Sequence, residues 1–246
     1  MIDAAKIFGM DFSISWEDFR DALEDLIHTN KPKTGIYFRP VIYSDDEVLT
    51  PCFDKLSYKL AIYAIELGDY LDTTRGLRLM ISGFKKFSDG AISTKAKATG
   101  AYLHASAART EANRLGFDEA LVMDDHGNLV EASAANMMIV RRGEVFMPSV
   151  GSAMLEGITM RTVCELLEEA GVKVRFEPID RSMVYTADEI LLTGTGAQVV
   201  FAESIDGRKI GDGNPGKICT LLRKGYEDII AMRHVRSRDW ILEINF

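Results

Sequence analysis

The chain has 246 residues, 47% of them apolar and 27% charged, the balance of a globular protein rather than a disordered or fibrous one. Its formal charge of −8 argues against nucleic acid as a partner, since phosphate binding needs a concentrated basic surface. No window approaches the roughly 20 consecutive apolar residues of a membrane helix, so no membrane partner is expected.

The best basic cluster, Arg233, Arg236 and Arg238, is flanked by Asp228 and Asp239 and reads as a solvated helix end. Cys52, Cys164 and Cys219 are odd in number and lack C-x-x-C spacing, which suggests free thiols in a reducing cytoplasm rather than a disulfide frame or zinc site. His28, His104, His126 and His234 are scattered, with no pair at ligand spacing, so no catalytic metal is expected. The start, Met1 to Ser13, has no basic stretch followed by an apolar core and does not read as a secretory signal.

In chain order, the first element is a helix over Trp16–Asn30. Ser15 can cap it, with Asp18 three residues on, and Trp16, Phe19, Leu23, Leu26 and Ile27 recur at helical spacing. The β-rich run Ile36–Tyr43 predicts a strand, and further strands are expected at Tyr58–Leu67 and Leu77–Ser82. Gly68–Gly76 is polar and turn-rich and is expected to link two domains, residues 1–67 and 77–246.

Beyond it the chain alternates. A helix over Gly100–Leu115 leads to strands at Ala120–Met123 and Asn136–Arg141, and Arg142-Gly143 turns the latter into Val145–Met147. A helix over Ile158–Ala170 follows, then strands at Val172–Phe176 and Glu189–Thr193, a hairpin at Asp206-Gly207, and a last helix from Gly216 to Met232. Strands interleaved with helices and joined partly by hairpins predict a mixed α/β (α+β) fold, not a doubly wound sheet. The chain has no strand–GxGxxG–helix unit and no internal repeat.

Three local features carry chemistry. Lys97 lies in the small-residue run Ser93-Thr-Lys-Ala-Lys-Ala-Thr-Gly100, leading into a helix. A lysine is usually a solvated surface charge, and by composition Lys95 is an equally good candidate. Gly157-Ile158-Thr159 opens a helix, where unpaired backbone N–H groups point toward an anion. Thr193-Gly-Thr-Gly-Ala197 follows an apolar strand and can offer amide and hydroxyl donors to a phosphate or carboxylate. Singly, the last two are equally a capped helix and a tight turn.

Their order is more specific. Lys97-Ala-Thr-Gly-Ala-Tyr-Leu103, Glu131-Ala-Ser-Ala-Ala-Asn136, Leu155-Glu-Gly-Ile-Thr159 and Thr193-Gly-Thr-Gly196 resemble, in order and separation, the motifs of class IV pyridoxal-phosphate aminotransferases, and among them the branched-chain enzymes. Tyr185-Thr-Ala-Asp-Glu189 and Tyr37-Phe-Arg-Pro40 are similar to further family segments, so the resemblance covers Ala5 to Gly216.

It implies a fold type IV architecture, with a small α/β domain and a larger domain of mixed sheets and helices. It also implies pyridoxal 5′-phosphate as cofactor, and exchange of an amino group between branched-chain L-amino acids and 2-oxoglutarate by a homodimer or higher homo-oligomer. Lys97 is then the Schiff-base lysine and the proton shuttle, tasks suited to a side chain whose pKa shifts readily. Glu131 pairs with the pyridine nitrogen, and Tyr102 bonds the phenolic oxygen. Ile158, Thr159 and Thr195 hold the phosphate. Tyr37 and Arg39, with the Thr195 and Gly196 amides, face the substrate carboxylate.

The pattern departs from the family at several places. Ala101 replaces an asparagine beside Tyr102, Met138 an aromatic, and Leu67 a tryptophan of the branched-chain enzymes. In the family, strands and a phosphate-binding arginine of an H-x-x-R-L motif precede the residues matching Ala4–Phe8. Such an arginine contact is worth about 1.5–3 kcal/mol, so weak cofactor retention is expected of residues 1–246 alone. The same fold also hosts D-amino acid transaminases and aminodeoxychorismate lyases, and an inert, purely structural chain is the non-enzymatic alternative.

Overall fold

The computed structural model describes residues 1–66 and 75–244. The linker expected at 68–76 lies outside the described residues except for its last two, as does Leu67. The described residues form two compact units, one of 1–66, 96–98 and 242–244 and the other of 75–95 and 99–241.

The first unit holds α1 (Ile2–Ile7), α2 (Trp16–Asn30) and the antiparallel pair β1 (Ile36–Ser44) and β2 (Tyr58–Glu66). Helix α2 starts where the sequence predicts. The Ser15 hydroxyl accepts from the Asp18 N–H at 3.0 Å and donates to its carboxylate at 2.7 Å, satisfying one of the donors every helix start leaves open. Tyr37 pairs with Ile65 and Arg39 with Tyr63. These four side chains share one face of the ribbon, since alternate residues of a strand point the same way.

The second unit runs β3 (Leu77–Lys85), a 3-10 turn (Thr99–Ala101), α3 (Tyr102–Arg114), β4 (Glu119–Met123), β5 (Leu129–Ala132), β6 (Asn136–Arg141), β7 (Glu144–Met147), α4 (Ile158–Glu169), β8 (Val174–Phe176), α5 (Arg181–Tyr185), β9 (Glu189–Gly194), β10 (Gln198–Ile205), β11 (Arg208–Lys209), α6 (Lys217–Ile230) and α7 (Ser237–Trp240). Its sheet has the order β5-β4-β3-β10-β9-β6-β7-β8, with β11 on β10. The pairs β3–β4, β3–β10 and β7–β8 are parallel and the rest antiparallel.

This order forces the sheet to curl. β5 and β6 stand at opposite ends of a six-stranded run, yet only Ser133, Ala134 and Ala135 join them. Laid flat, the outer strands of such a run would stand about 24 Å apart, whereas the connection can span at most about 15 Å. The turn is closed by the Ala132 N–H on the Ala135 carbonyl at 2.8 Å.

Because the strands alternate, their residues divide into two cores. Leu79, Leu121, Leu129, Ile139, Ile190 and Leu192 belong to one buried cluster. Met80, Val122, Val130, Met138, Val140 and Leu191 join Ala108 and Ala112 of α3, Val163 and Leu167 of α4 and Leu222 of α6 in the other. Strands buried on both faces read as continuous apolar runs, as Ile190-Leu-Leu192 does. Among the described residues, no helix is long and apolar enough to cross a membrane.

The Tyr185–Glu189 segment acts as a set of anchors. The Tyr185 hydroxyl donates to Asp206 at 2.6 Å, Asp188 accepts from the Arg142 N–H at 2.6 Å, and the Glu189 carboxylate accepts from the Ile218 and Cys219 N–H groups at 3.1 and 2.9 Å. Glu189 thereby caps α6. A Cβ on the preceding Gly216 would stand 2.1 Å from the same carboxyl carbon, so a larger residue there would displace the Glu189 cap.

Asp118, between α3 and β4, receives Arg75 at 2.7 and 2.9 Å, Arg78 at 3.1 and 3.2 Å, and the Arg78 N–H at 2.8 Å. The Arg75 guanidinium above all, against the opposing effect of burial and with help from Arg78, holds its carboxyl well below the usual carboxylate range. A depressed folded-state pKa stabilises the protein above the unfolded value of about 4, and that stability is lost as pH falls toward the folded one. Asp118→Asn is therefore expected to lower the melting temperature at neutral pH and to flatten its fall below about pH 4, as measured by thermal melts across pH.

Candidate active site

The site is built where β5 turns into β6. Glu131 lies on β5, a strand absent from the sequence-based expectation, and is 7% exposed. A carboxylate there needs compensation, and it has two partners. Oε1 accepts from the Lys86 ammonium at 2.5 Å and Oε2 from the Leu155 N–H at 2.9 Å.

Asn136, the first residue of β6, organises the next segment. Its Nδ2 donates to the Leu155 carbonyl at 2.6 Å. Its Oδ1 lies 2.2 Å from where a Cβ on Gly157 would stand, so any larger residue there would push the Asn136 amide from the Leu155 carbonyl. Gly157 takes an extended conformation at the start of α4, and no side chain caps this helix. The N–H groups of Ile158 and Thr159 are the open donors of an uncapped helix start. Ile158 is exposed and Thr159 is buried.

The third segment comes from the end of β9. Thr193 stands opposite Asn136 in the antiparallel pair, so the two side chains share a face. The Thr193 hydroxyl is buried without a hydrogen-bond partner. Gly194 lies against the Ala134–Ala135 turn, 3.6 Å from the Ala134 carbonyl when measured from its would-be Cβ. Thr195 and Gly196 form the turn that follows, Thr195 exposed. Glu131, Asn136, Leu155–Thr159 and Thr193–Gly196 are thus brought together in one unit.

Lys95 and Lys97 are sharply different. The Lys95 ammonium donates to the carbonyls of Val150 at 2.8 Å and Met154 at 3.1 Å, with Glu156 at 3.4 Å. It clamps the loop that delivers Leu155 and Gly157. Lys97 is exposed, lies outside regular structure just before the Thr99–Ala101 turn, and belongs with Ala96 and Ala98 to the first unit. Tyr102 opens α3 and is half-buried. In the first unit, the Arg39 guanidinium stands 5.6 Å from the centre of the Tyr37 ring, a cation–π contact.

Sequence reasoning missed Lys86. It sits in an unremarked Lys85-Lys86 pair, and its relation to Glu131 depends on β3, β4 and β5 lying side by side. Asn136 and Thr193 were visible inside their motifs, but not as a hub and an orphaned hydroxyl. Met138, where the family pattern has an aromatic, is fully buried, a place an adaptable thioether fills well. A cavity of about 550 Å³ bordered by Phe84, Thr110 and Glu111 includes none of the residues of this site. Among the described residues, no group of His, Cys, Asp and Glu could hold a metal ion.

An uncapped helix start and a strand-end turn rich in Thr and Gly offer donors suited to an anion. A shielded carboxylate in the same unit suits a cationic ring nitrogen, an arrangement that fits an enzyme built around a phosphorylated heteroaromatic cofactor. Comparison with known proteins agrees. Residues 1–205 match the amino-transferase class IV family model. The chain is 34% identical over 245 residues to a probable branched-chain-amino-acid aminotransferase of Aquifex aeolicus, covering 99% of this chain and 79% of that protein.

Among solved structures it is similar to the branched-chain aminotransferase of the archaeon Thermoproteus uzoniensis with norvaline (TM-score 0.93, 31% identity, 98% of this chain and 80% of that one). It is also similar to the branched-chain amino acid aminotransferase of Thermobaculum terrenum in its PLP-bound holo-form (TM-score 0.93, 26% identity, 99% and 80%). The chain belongs to the class IV aminotransferases, pyridoxal-phosphate enzymes of the fold type IV architecture, and is of the branched-chain type.

The residues present fit that cofactor. The orphaned Thr193 hydroxyl and the uncapped start of α4 are open donors in the same unit as the buried Glu131 carboxylate. Gly157→Ala would drive its methyl group into Asn136 and displace the helix start. A strain of about 1–3 kcal/mol predicts roughly tenfold to hundredfold weaker uptake of pyridoxal phosphate, checked by absorbance titration of the apoprotein.

Proposed function

We propose that this chain transfers the amino group of leucine, isoleucine and valine to 2-oxoglutarate, with pyridoxal phosphate as carrier, as a cytoplasmic homo-oligomer. The observation that carries this reading is the buried Glu131 carboxylate, held by hydrogen bonding to the loop that opens α4. Family membership supports the reaction, and the names of the relatives support the amino acid class. Tyr43, Tyr63 and Ile65, large and exposed on the β1–β2 ribbon, support self-association. The two compact units support a small domain in residues 1–67 and a larger, cofactor-binding one in 77–246, linked through 68–76.

The bound cofactor supplies an electron sink and a carrier for the amino group. The chain's residues do the rest. Glu131 accepts from the ring nitrogen and, being anionic, keeps a proton on that atom. The amides of Ile158 and Thr159, with Thr195, bind the phosphate. The Tyr102 hydroxyl orients the phenolic oxygen. Lys97 Nζ takes the proton from the substrate's Cα, general base work within reach of a lysine of adjustable basicity. Tyr37 and Arg39, with the amides of Thr195 and Gly196, receive the substrate carboxylate, for which a planar guanidinium is matched in shape and charge.

The test is turnover of leucine with 2-oxoglutarate by the purified chain supplied with cofactor. Activity only with a D-amino acid would replace this reading with D-amino acid transamination, and a chain inert toward all amino donors would overturn it. Borohydride reduction and peptide mapping should place the pyridoxyl group on Lys97, and an adduct on Lys95 would sink that assignment. Glu131→Gln should leave the fold intact and lower kcat by at least about a hundredfold, the equivalent of roughly 3 kcal/mol of barrier. Wild-type turnover by that variant would give Glu131 a structural role only.

A further inference from the structure

Lys86 has no role in the reaction as described above, yet its ammonium is the cation on Glu131. We propose that Lys86 is a positioning residue, which fixes the Glu131 carboxylate in the orientation that meets the cofactor's ring nitrogen. This rests on the reading of Glu131 as the ring-nitrogen partner and names the group that holds it there.

The geometry begins with the backbone. Lys86 directly follows β3, and its N–H donates to the Met123 carbonyl at the end of β4 at 2.7 Å. That bond pins the residue across two strands, with β5 next in the sheet. The side chains of Lys86 and Glu131 are 12% and 9% exposed, so water screens the pair little. Around the ammonium stand the Phe87 ring, with its centre 5.3 Å away, and His104 of α3, stacked edge-on against Phe87 at 5.8 Å. Burial, then the Lys86 charge, hold the His104 imidazole below its usual range, so His104 adds no second cation at neutral pH.

Pinned at Oε1 by Lys86 and at Oε2 by the Leu155 N–H, the carboxylate cannot turn about its last torsion without losing a bond. Each oxygen keeps a further lone pair, and those are the positions left for a ring N–H. A group that must accept a bond in one direction gains from being held there beforehand. Leu155 also leads directly into the Gly157 helix start, so Lys86, Glu131 and the phosphate donors form one connected frame. Without Lys86, the buried carboxylate would be left with one partner and freedom to rotate.

The test is a double-mutant cycle read by cofactor binding. The apo forms of the wild type, Lys86→Met, Glu131→Gln and the double variant are titrated with pyridoxal phosphate, following the visible band. Lys86→Met is expected to weaken binding about tenfold and to move the band. In the Glu131→Gln background the same substitution should change affinity less than about twofold, because Lys86 acts through Glu131. Lys86→Arg, which keeps the charge, should stay within about threefold of wild type.

An unchanged or tighter Lys86→Met overturns the proposal. So does an equal loss in both backgrounds, the signature of a merely structural lysine. Should Lys86→Met not fold, Lys86→Arg and the double variant decide: a folded Lys86→Arg tenfold weaker than wild type, or a double variant far weaker than Glu131→Gln, overturns it. A Glu131→Gln variant with wild-type affinity and band overturns the Glu131 assignment and this inference together. Turnover of leucine, measured separately on the wild type, reports on the proposed activity: cofactor uptake without turnover rejects that activity while the Lys86 cycle still stands.

Discussion

Glu131 carries a charge at a position 7% exposed, at the seam where a curled sheet closes, and the structure around it is arranged to compensate that charge. Breaking one side of a buried ion pair costs about 3–5 kcal/mol. The ammonium and the amide that it faces must therefore arrive together with the strand. Lys86 is brought by the β3–β4–β5 neighbourhood and Leu155 by the loop before α4. The curl makes both possible, because it turns β5 back onto β6 within three residues. The same carboxylate that a sheet would normally exclude becomes the fixed anion of the site.

The donors for an anion come from chain segments that are distant in sequence. Asn136 joins them, holding the Leu155 carbonyl and standing over Gly157 on one side and beside Thr193 on the other. Beneath them, Lys95 clamps the Val150–Glu156 loop, and Tyr185, Asp188 and Glu189 tie the segment leading into β9 to the β10–β11 turn, the β6–β7 turn and α6. Site residues on loops thus rest on a rigid scaffold. The Thr193 hydroxyl is buried and unpaired, whereas buried polar groups ordinarily have a partner.

Local rules were enough wherever the determining residues lie within one turn or hairpin. Ser15 and Asp18 set the start of α2, Arg142-Gly143 set the β6–β7 hairpin, and the apolar spacing of α4 was evident. They failed where the signal is short. Leu129–Ala132 is four residues long and buried throughout, so it has no alternation to reveal it as a strand, and α5 is a five-residue helix. Composition left Lys95 and Lys97 equal. Three oxygen partners around the Lys95 ammonium make it a clamp on the loop before α4, a role that composition does not disclose.

What the sequence determined by itself was the family, through four ordered motifs, the residue types those motifs carry, and most of the helices and strands, because capping, turn chemistry and periodicity act over a few residues. The tertiary structure alone decided that the sheet curls, that Lys86 meets Glu131 across 45 residues of chain, and that Asn136, Gly157 and Thr193 converge. Such contacts depend on which strands lie side by side, and that follows from burying both faces of the sheet at once rather than from any local preference.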